Sequence, residues 1–531
     1  MNKSRIFIIT FLAMALASSA QTMPKLMKKL LNAQYAVSTF YVDSVNEEKM
    51  VEDAIKGILS ELDPHSSYST SEETKELNEP LEGKFSGIGI QFNMNQDTLY
   101  VIQTTAGGPS ERVGILAGDR IIAVNDTVIA GKKMKTTDIM KRLRGPKDTK
   151  VTVTVKRAKV AEPIIFRITR DDIPLYSIDA SYMLDKKTGY IKVARFAADT
   201  NEEFMAAVDS LQKVGMKQLI IDLADNGGGF LNSAIEMSNE LLNRGDLIVY
   251  TEGRTSPRNE ASALGNGKFK KGKVVIIVNQ SSASASEILS GAVQDNDRGV
   301  IVGRRTFGKG LVQRPFAFED GSMMRLTVAR YHTPSGRCIQ KPYTKGDKKS
   351  YDMDIINRYD GGEFYSADSI HFADSLRYYT VKQHRTIYGG GGIMPDVFVP
   401  LDTTEYSNYH RDIIAKGILP QFCIGYVDKH RTELLASYPT LADFDKNYQV
   451  TDEMMQSIID AGVRDSVKFN EDEYNRSKNV LRTITKALIA RDIYTDTSAY
   501  YIVINHINDL VKQALDIIND DRRYNEILSG K

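Results

Sequence analysis

"VVIIVNQSSASASEILSGAVQD" runs from Val274 to Asp295. Val274 to Val278 is β-branched throughout, the pattern of a strand buried on both faces. A polar corner, Asn279-Gln280, follows, and then six residues, 281–286, that are all Ser or Ala. From Glu287 the apolar positions Ile288, Leu289, Ala292 and Val293 have helical spacing, with no Gly or Pro at the helix start. A Ser/Ala run is often a linker, but a linker does not separate a buried strand from a helix that starts at once. A strand, a turn of small residues and a helix N-terminus bring something close to the backbone. Helix-start amides are unpaired and carry partial positive charge. A Ser hydroxyl there can act as a nucleophile if a neighbour activates it. The small residues are expected to leave room for whatever comes close.

The same alternation surrounds the stretch. "GYIKVARF" (189–196) and "KQLIIDL" (217–223) read as strands, 201–214 and "FLNSAIEMSNELLN" as helices, and "GVIVG" (299–303) as a further strand. Strands alternating with helices imply a largely parallel sheet covered by helices. Residues 171–400 form this α/β core, with 341–389 as a charged, Tyr-rich insertion. Residues 24–80 read as helical, ending in the turn "LDPHSSY" (62–68), and 401–531 read as a helical region with no function attached.

Between these lie short strands and glycine turns, 83–170, which resemble a PDZ domain. The resemblance rests on the Gly87-Ile88-Gly89-Ile90 loop, the Leu116-Ala117-Gly118-Asp119 turn and the Ile121-to-Asn125 strand. Backbone amides of the 87–90 loop can hold a C-terminal carboxylate while the next strand edge pairs with the peptide. The fold class is therefore multidomain α/β: helical N-terminal region, PDZ-like domain, α/β core with a largely parallel sheet and helical C-terminal region.

At 531 residues the chain is too long for one core. Lys+Arg (69) and Asp+Glu (68) balance, so no net field points to nucleic acid. Residues 1–20 read as an export signal: Lys3 and Arg5, an apolar stretch too short to span a bilayer, then Ser18-Ser19-Ala20. The expectation is an exported, periplasmic or extracellular protein with no stable membrane insertion. Cys338 and Cys423 leave one disulfide open and supply no metal site. No metal or cofactor is expected.

The seven histidines sit in uninformative contexts, and no G-x-S-x-G elbow occurs. Ser210 and Lys213 have S-x-x-K spacing, but on a helix with no glycine corner. Lys309 stands between two glycines in "GRRTFGKGLVQ". Gly303-x4-Gly308-Lys309 is nearly a phosphate-binding loop, but Gly310 replaces the required Ser/Thr and Pro315 breaks the following segment. The other reading makes Lys309 a general base. A free Lys is neutral in roughly one molecule in 2,500 at pH 7, and burial raises that fraction.

Taken together, residues 30–400 resemble the carboxyl-terminal processing peptidases, serine peptidases with a Ser–Lys dyad and an embedded PDZ domain. The motifs "LDPHSSY", the PDZ loop, "DLADNGGG", "SASASEILSGAVQD", "TFGKGLVQ", "YHTPSGRCIQ" and "GGIMPD" occur in that order. The resemblance implies Ser284 as nucleophile, Lys309 as base 25 positions on, Gln313 orienting the lysine, and the amides of Gly228 and Ala285 as oxyanion hole. It implies protein or peptide substrates with exposed C-terminal tails, and leaves a homo-oligomer open. Where many members read D-L-R-x-N-P-G-G, this chain has Ala224 for the Arg and Gly227 for the Pro. That departure keeps a rival reading alive, a secreted PDZ scaffold with impaired catalysis. Asp295 lies eleven residues past Ser284, about 16 Å along a helix, and is expected to be structural.

Overall fold

The computed structural model describes residues 25–531 apart from 96, 159 and 495; the export-signal reading of 1–20 falls outside the described residues. A six-stranded sheet forms the centre, in the order Ile178–Met183, Thr188–Val193, Gln218–Asp222, Val274–Val278, Val300–Gly303 and Val397–Phe398. The first pair is antiparallel and the rest are parallel. Alternation along each strand feeds two cores. Val274, Ile276 and Val278 pack toward Phe204, Met237 and Leu289 of the helices Thr200–Lys213, Leu231–Leu241 and Ala285–Asp295. Val275 and Ile277 pack on the opposite face. All five side chains of this strand are fully buried, each a gain of about 1.5–3 kcal/mol over exposure.

That opposite face is covered by the end of the chain. Leu510, Val511, Ala514, Ile517 and Ile518 of the helix Asp509–Asn519, with Tyr524 of Asp521–Ser529, close the second core. The region 401–531 thus divides. Its helices from Asn408–Ala415 to Ala499–Ile504 have a core of their own, while the last two complete the central sheet.

A second sheet orders Ser67–Ser69, Met323–His332, Leu247–Gly253 and Ser256–Ser262, with Leu311–Ala317 also paired to Met323–His332. Sequence reading does not pick out these strands, because "LVQRPFA" and "MMRLTVARYH" are half-exposed and carry charges. This sheet seats the "LDPHSSY" turn against the segment that follows Lys309. The insertion carries a helix, Lys348–Asp360, and a small hairpin, Arg377–Tyr379 with Thr386–Tyr388.

The PDZ-like sheet orders Ile90–Asn95, Thr98–Thr104, Arg120–Val124, Lys150–Lys156 and Ile164–Thr169. "FSGIGIQF", read as one strand, is two. Lys84–Gly87 pairs with Asp171–Pro174, bringing the two ends of the domain together, and Ile90–Asn95 starts after the turn at Gly89. On its other side the domain meets the helix Ile418–Ser437, where Arg120, stacked 4.9 Å from the Tyr100 ring centroid, pairs with Asp428. Cys338 and Cys423 are both free.

Asp295 is spent within the core, as its distance along the helix suggests. Its carboxylate accepts from Arg337 at 2.7 Å and from the Ser335 N–H at 3.0 Å, and both charged side chains are wholly buried. Removing one partner strands the other charge. Asp295→Ala is expected to lower unfolding free energy by about 3–5 kcal/mol, measured by urea titration.

Candidate active site

Ser284 begins the helix Ala285–Asp295 with φ 56° and ψ −112°, a sparsely populated conformation for a residue with a side chain. Such a residue costs of order 1–3 kcal/mol and persists where its surroundings fix it. Those surroundings are visible. The Ser284 N–H donates to Glu287 Oε2 at 2.8 Å. The Ser284 carbonyl faces the Tyr331 hydroxyl at 3.1 Å, and the same hydroxyl contacts the Lys309 carbonyl. Ser284 stays partly exposed while Ser282, Ala283, Ala285 and Ser286 are buried.

The small residues therefore serve a different end from the one expected of them. Four of the six are packed against the 223–230 loop and do not face open volume. Ser282 Oγ donates to the Leu223 carbonyl at 2.7 Å, Ser286 Oγ to the Asn226 carbonyl at 2.8 Å, and the Ala283 N–H to that carbonyl at 3.0 Å. Gly228 (φ 101°) lies so close that an added Cβ would stand 2.8 Å from Ser284 Cβ and 2.7 Å from the Ala283 carbonyl. Larger residues on either strip would separate the two loops.

Glu287 ties the serine to the lysine loop. Its wholly buried carboxylate accepts four hydrogen bonds. Oε1 takes the Thr306 hydroxyl (2.6 Å) and the Gly308 N–H (2.7 Å); Oε2 takes the N–H groups of Ser284 and Lys309 (2.8 and 2.9 Å). Burial wins over these bonds and pushes its pKa up to about 7. Burial also lowers the Lys309 pKa, against the opposing pull of Glu287. The ammonium loses hydration there, and a neutral amine becomes accessible nearer neutral pH.

Gln313 donates its amide to the Leu311 carbonyl (3.1 Å) and to Thr327 Oγ1 (3.3 Å). Thr327 in turn donates to Asp63, which also accepts from Ser66. Next to Asp63, His65 holds the Tyr351 hydroxyl at 2.9 Å, and burial, with the Lys309 charge nearby, pushes its pKa down to about 4. One histidine is thus informative after all, and it stays neutral beside Lys309. Asp63, His65, Glu287 and Tyr331 lie inside the motifs quoted above, but motif reasoning gave none of them a role; Glu287 alone carried a further signal, the S-x-x-E spacing from Ser284 that opens a helix.

The two amides assigned to an oxyanion hole differ in state. Ala285 is the first residue of its helix and has no intrahelical acceptor. The Gly228 N–H is donated to Asn226 Oδ1 at 2.9 Å and is not presented toward Ser284 here.

In the PDZ-like domain, Ile90–Asn95 lies at the end of its sheet and faces the helix Thr136–Leu143. Between them is a cavity of about 440 Å³ lined by Ile88, Gly89, Ile90, Phe92, Met140 and Leu143. Gly89 (φ 71°) makes the turn into it, where a side chain would meet Ile173 and Pro109. Gly87 does not line this groove; it pairs with Asp171 in the strands that join the domain to the core. Arg144 closes one end, over the Phe85 ring at 4.5 Å and bonded to Glu79 at 2.6 Å.

A strained serine at a helix start, a lysine loop tied to it by one carboxylate that accepts both main-chain N–H groups, and an apolar groove on a neighbouring domain together define the class of a serine peptidase carrying a PDZ module. Comparison with known proteins agrees. Peptidase family S41 matches residues 187–350, a PDZ domain 86–164, the N-terminal domain of activating protease CtpB 12–74, and a family of unknown function 409–496. The carboxy-terminal-processing protease of Bartonella bacilliformis is 35% identical over 312 residues, 57% of this chain and 70% of that one. A probable CtpA-like serine protease of Staphylococcus aureus is 35% identical over 325 residues, 60% of this chain and 64% of its own length. Among solved structures, the photosystem II D1 C-terminal processing protease is 29% identical, covering 58% of this chain and 89% of that one, with a TM-score of 0.34. The chain belongs to the carboxy-terminal-processing protease family and is a serine-type peptidase.

Proposed function

We propose that this chain is an exported endopeptidase that takes protein substrates by their C-terminal tails and cleaves them with a Ser284–Lys309 dyad. The observation that carries the reading is the Glu287 carboxylate, which accepts from the main-chain N–H groups of both Ser284 and Lys309. Neutral Lys309 takes the proton of Ser284 Oγ as it attacks the scissile carbonyl. The Ala285 N–H receives the oxyanion. The Gly228 N–H joins it once released from Asn226. Lys309 then protonates the leaving amine, and water admitted to its place is activated by the same amine to hydrolyse the acyl-enzyme. The amide oxygen of Gln313 orients the lysine. No metal enters these steps. Among the described residues no helix is long and apolar enough to cross a membrane.

The apolar lining of the 88–90 groove suits tails ending in apolar residues. The domain also restrains the peptidase at rest, because paired strands and no long linker join it to the core, and a rigid joint transmits domain rotation. Gly87 opposite Asp171 allows residues 88–170 to be replaced by a short turn with the paired strands kept. Cleavage of a short peptide is expected to be faster in that deletion than in the full chain. A separate peptide with an apolar C-terminus should stimulate only the full chain. Equal rates in all four samples would reduce the domain to a tether.

A further inference from the structure

We infer that Lys192 is a positioning residue for the reaction, holding the loop that reaches Ser284. The inference rests on the dyad reading above. Lys192 ends inside the Thr188–Val193 strand, 8% exposed. Its ammonium donates to Asp222 Oδ1 at 3.0 Å and to the Ala224 carbonyl at 2.5 Å. Asp222 Oδ1 also accepts the Ala224 N–H at 2.8 Å, and Oδ2 accepts the Tyr190 hydroxyl at 2.7 Å. Both backbone groups of Ala224 are thereby fixed, one by the aspartate and one by the lysine.

The residues after Ala224 are fixed in turn. Asp225 takes φ 61° and exchanges hydrogen bonds with Asn279, its N–H to Oδ1 at 3.0 Å and its carboxylate from Nδ2 at 2.8 Å. Asn226 binds the Val193 carbonyl with its amide and accepts the Gly228 N–H on its oxygen. Gly228 then meets Ser284. The first link of this chain is the lysine, since position 224 carries a methyl group that can hold nothing. The motif this segment resembles has an arginine there. Here a cation arrives from the neighbouring strand and grips the carbonyl of the same residue. Lys192, Asp222 and Ala224 also line an open cleft of about 780 Å³ between the sheet and the helical C-terminal region, so packing alone does not hold the loop from that side.

A buried ion pair that only stabilised the fold could be replaced without loss of rate. The test separates the two roles. In Lys192→Met/Asp222→Asn no charge is left buried, Asn keeps the Ala224 N–H, and the Tyr190 hydroxyl turns to accept from the new amide. The ammonium's hold on the Ala224 carbonyl is gone. Expected is a folded protein with kcat lowered about tenfold or more and KM within about twofold, since a small misplacement at the reacting centre is felt in rate more than in binding. Lys192→Arg keeps the charge pair and so the fold, but its planar fork does not reproduce two bonds from one nitrogen. It should lower kcat about threefold or more at unchanged KM. Native kcat in either folded variant, or a fall carried by KM, overturns the inference. Ser284→Ala is run beside them: if it still cleaves, the dyad reading fails. If it is dead while the Lys192 variants keep native kcat, the inference about Lys192 alone fails.

Discussion

Lys309→Arg is expected to be as inactive as Lys309→Ala and Ser284→Ala, each losing at least about 10³-fold in kcat while remaining folded. The lysine lies in a partly buried loop where desolvation favours the neutral amine. An arginine keeps the positive charge but does not deprotonate at any working pH. It cannot accept the Ser284 proton, whatever its position. In the proposed dyad nucleophile and base act as one unit, so losing either costs nearly as much as losing both. The sign of the pH dependence is set by the same group. As the proposed base Lys309 must be neutral to act; burial holds its pKa below the ordinary lysine value, and activity is therefore expected to rise with pH through that lowered value. Steady-state cleavage of a short peptide between pH 6 and 10 measures the limb. A Lys309→Arg protein that keeps a large share of activity would remove the lysine from the role of base.

Glu287→Gln should cost nearly as much for a different reason. The carboxylate offers four acceptor sites and four donors use them. Glutamine keeps one oxygen and turns an NH₂ toward two donors, which are then buried without partners. At about 1–3 kcal/mol for each, the variant is expected to lose about 2–6 kcal/mol of stability. The anchor shared by Ser284 and Lys309 loses its charge and part of its hydrogen bonding, and kcat should fall about 10²- to 10³-fold. The pH limb adds a second reading. Glu287 pulls the Lys309 pKa upward against burial, so removing its charge moves the midpoint of the residual activity to lower pH. Chemical denaturation and the pH profile of the residual rate check both parts. Native kcat, or a midpoint that stays in place, would leave Glu287 with no share in the dyad.

Much of this molecule is legible along the chain. The run from Val274 to Asp295 is local information: β-branching specifies a doubly buried strand, small residues a tight turn, and helical spacing the helix, each within a few neighbours. Order of motifs was likewise enough to place a PDZ-like domain before an α/β core. Other features depend on which surfaces meet. The single apolar stretch "FSGIGIQF" splits between two sheets because Gly87 finds its partner at Asp171, 84 residues away, and nothing near Gly87 encodes that pairing. The last two helices look like their predecessors in sequence, yet they leave the helical region and cover the second face of the central sheet, burying Val275, Ile277, Val300 and Val302. The serine and the lysine were readable as residue types in motifs. Their joining by Glu287, the neutral His65 beside Lys309, and the Gly228 amide turned onto Asn226 are products of tertiary contact. Burial sets the charge state of the acid and the bases, and burial is a property of the packed chain that no local pattern contains.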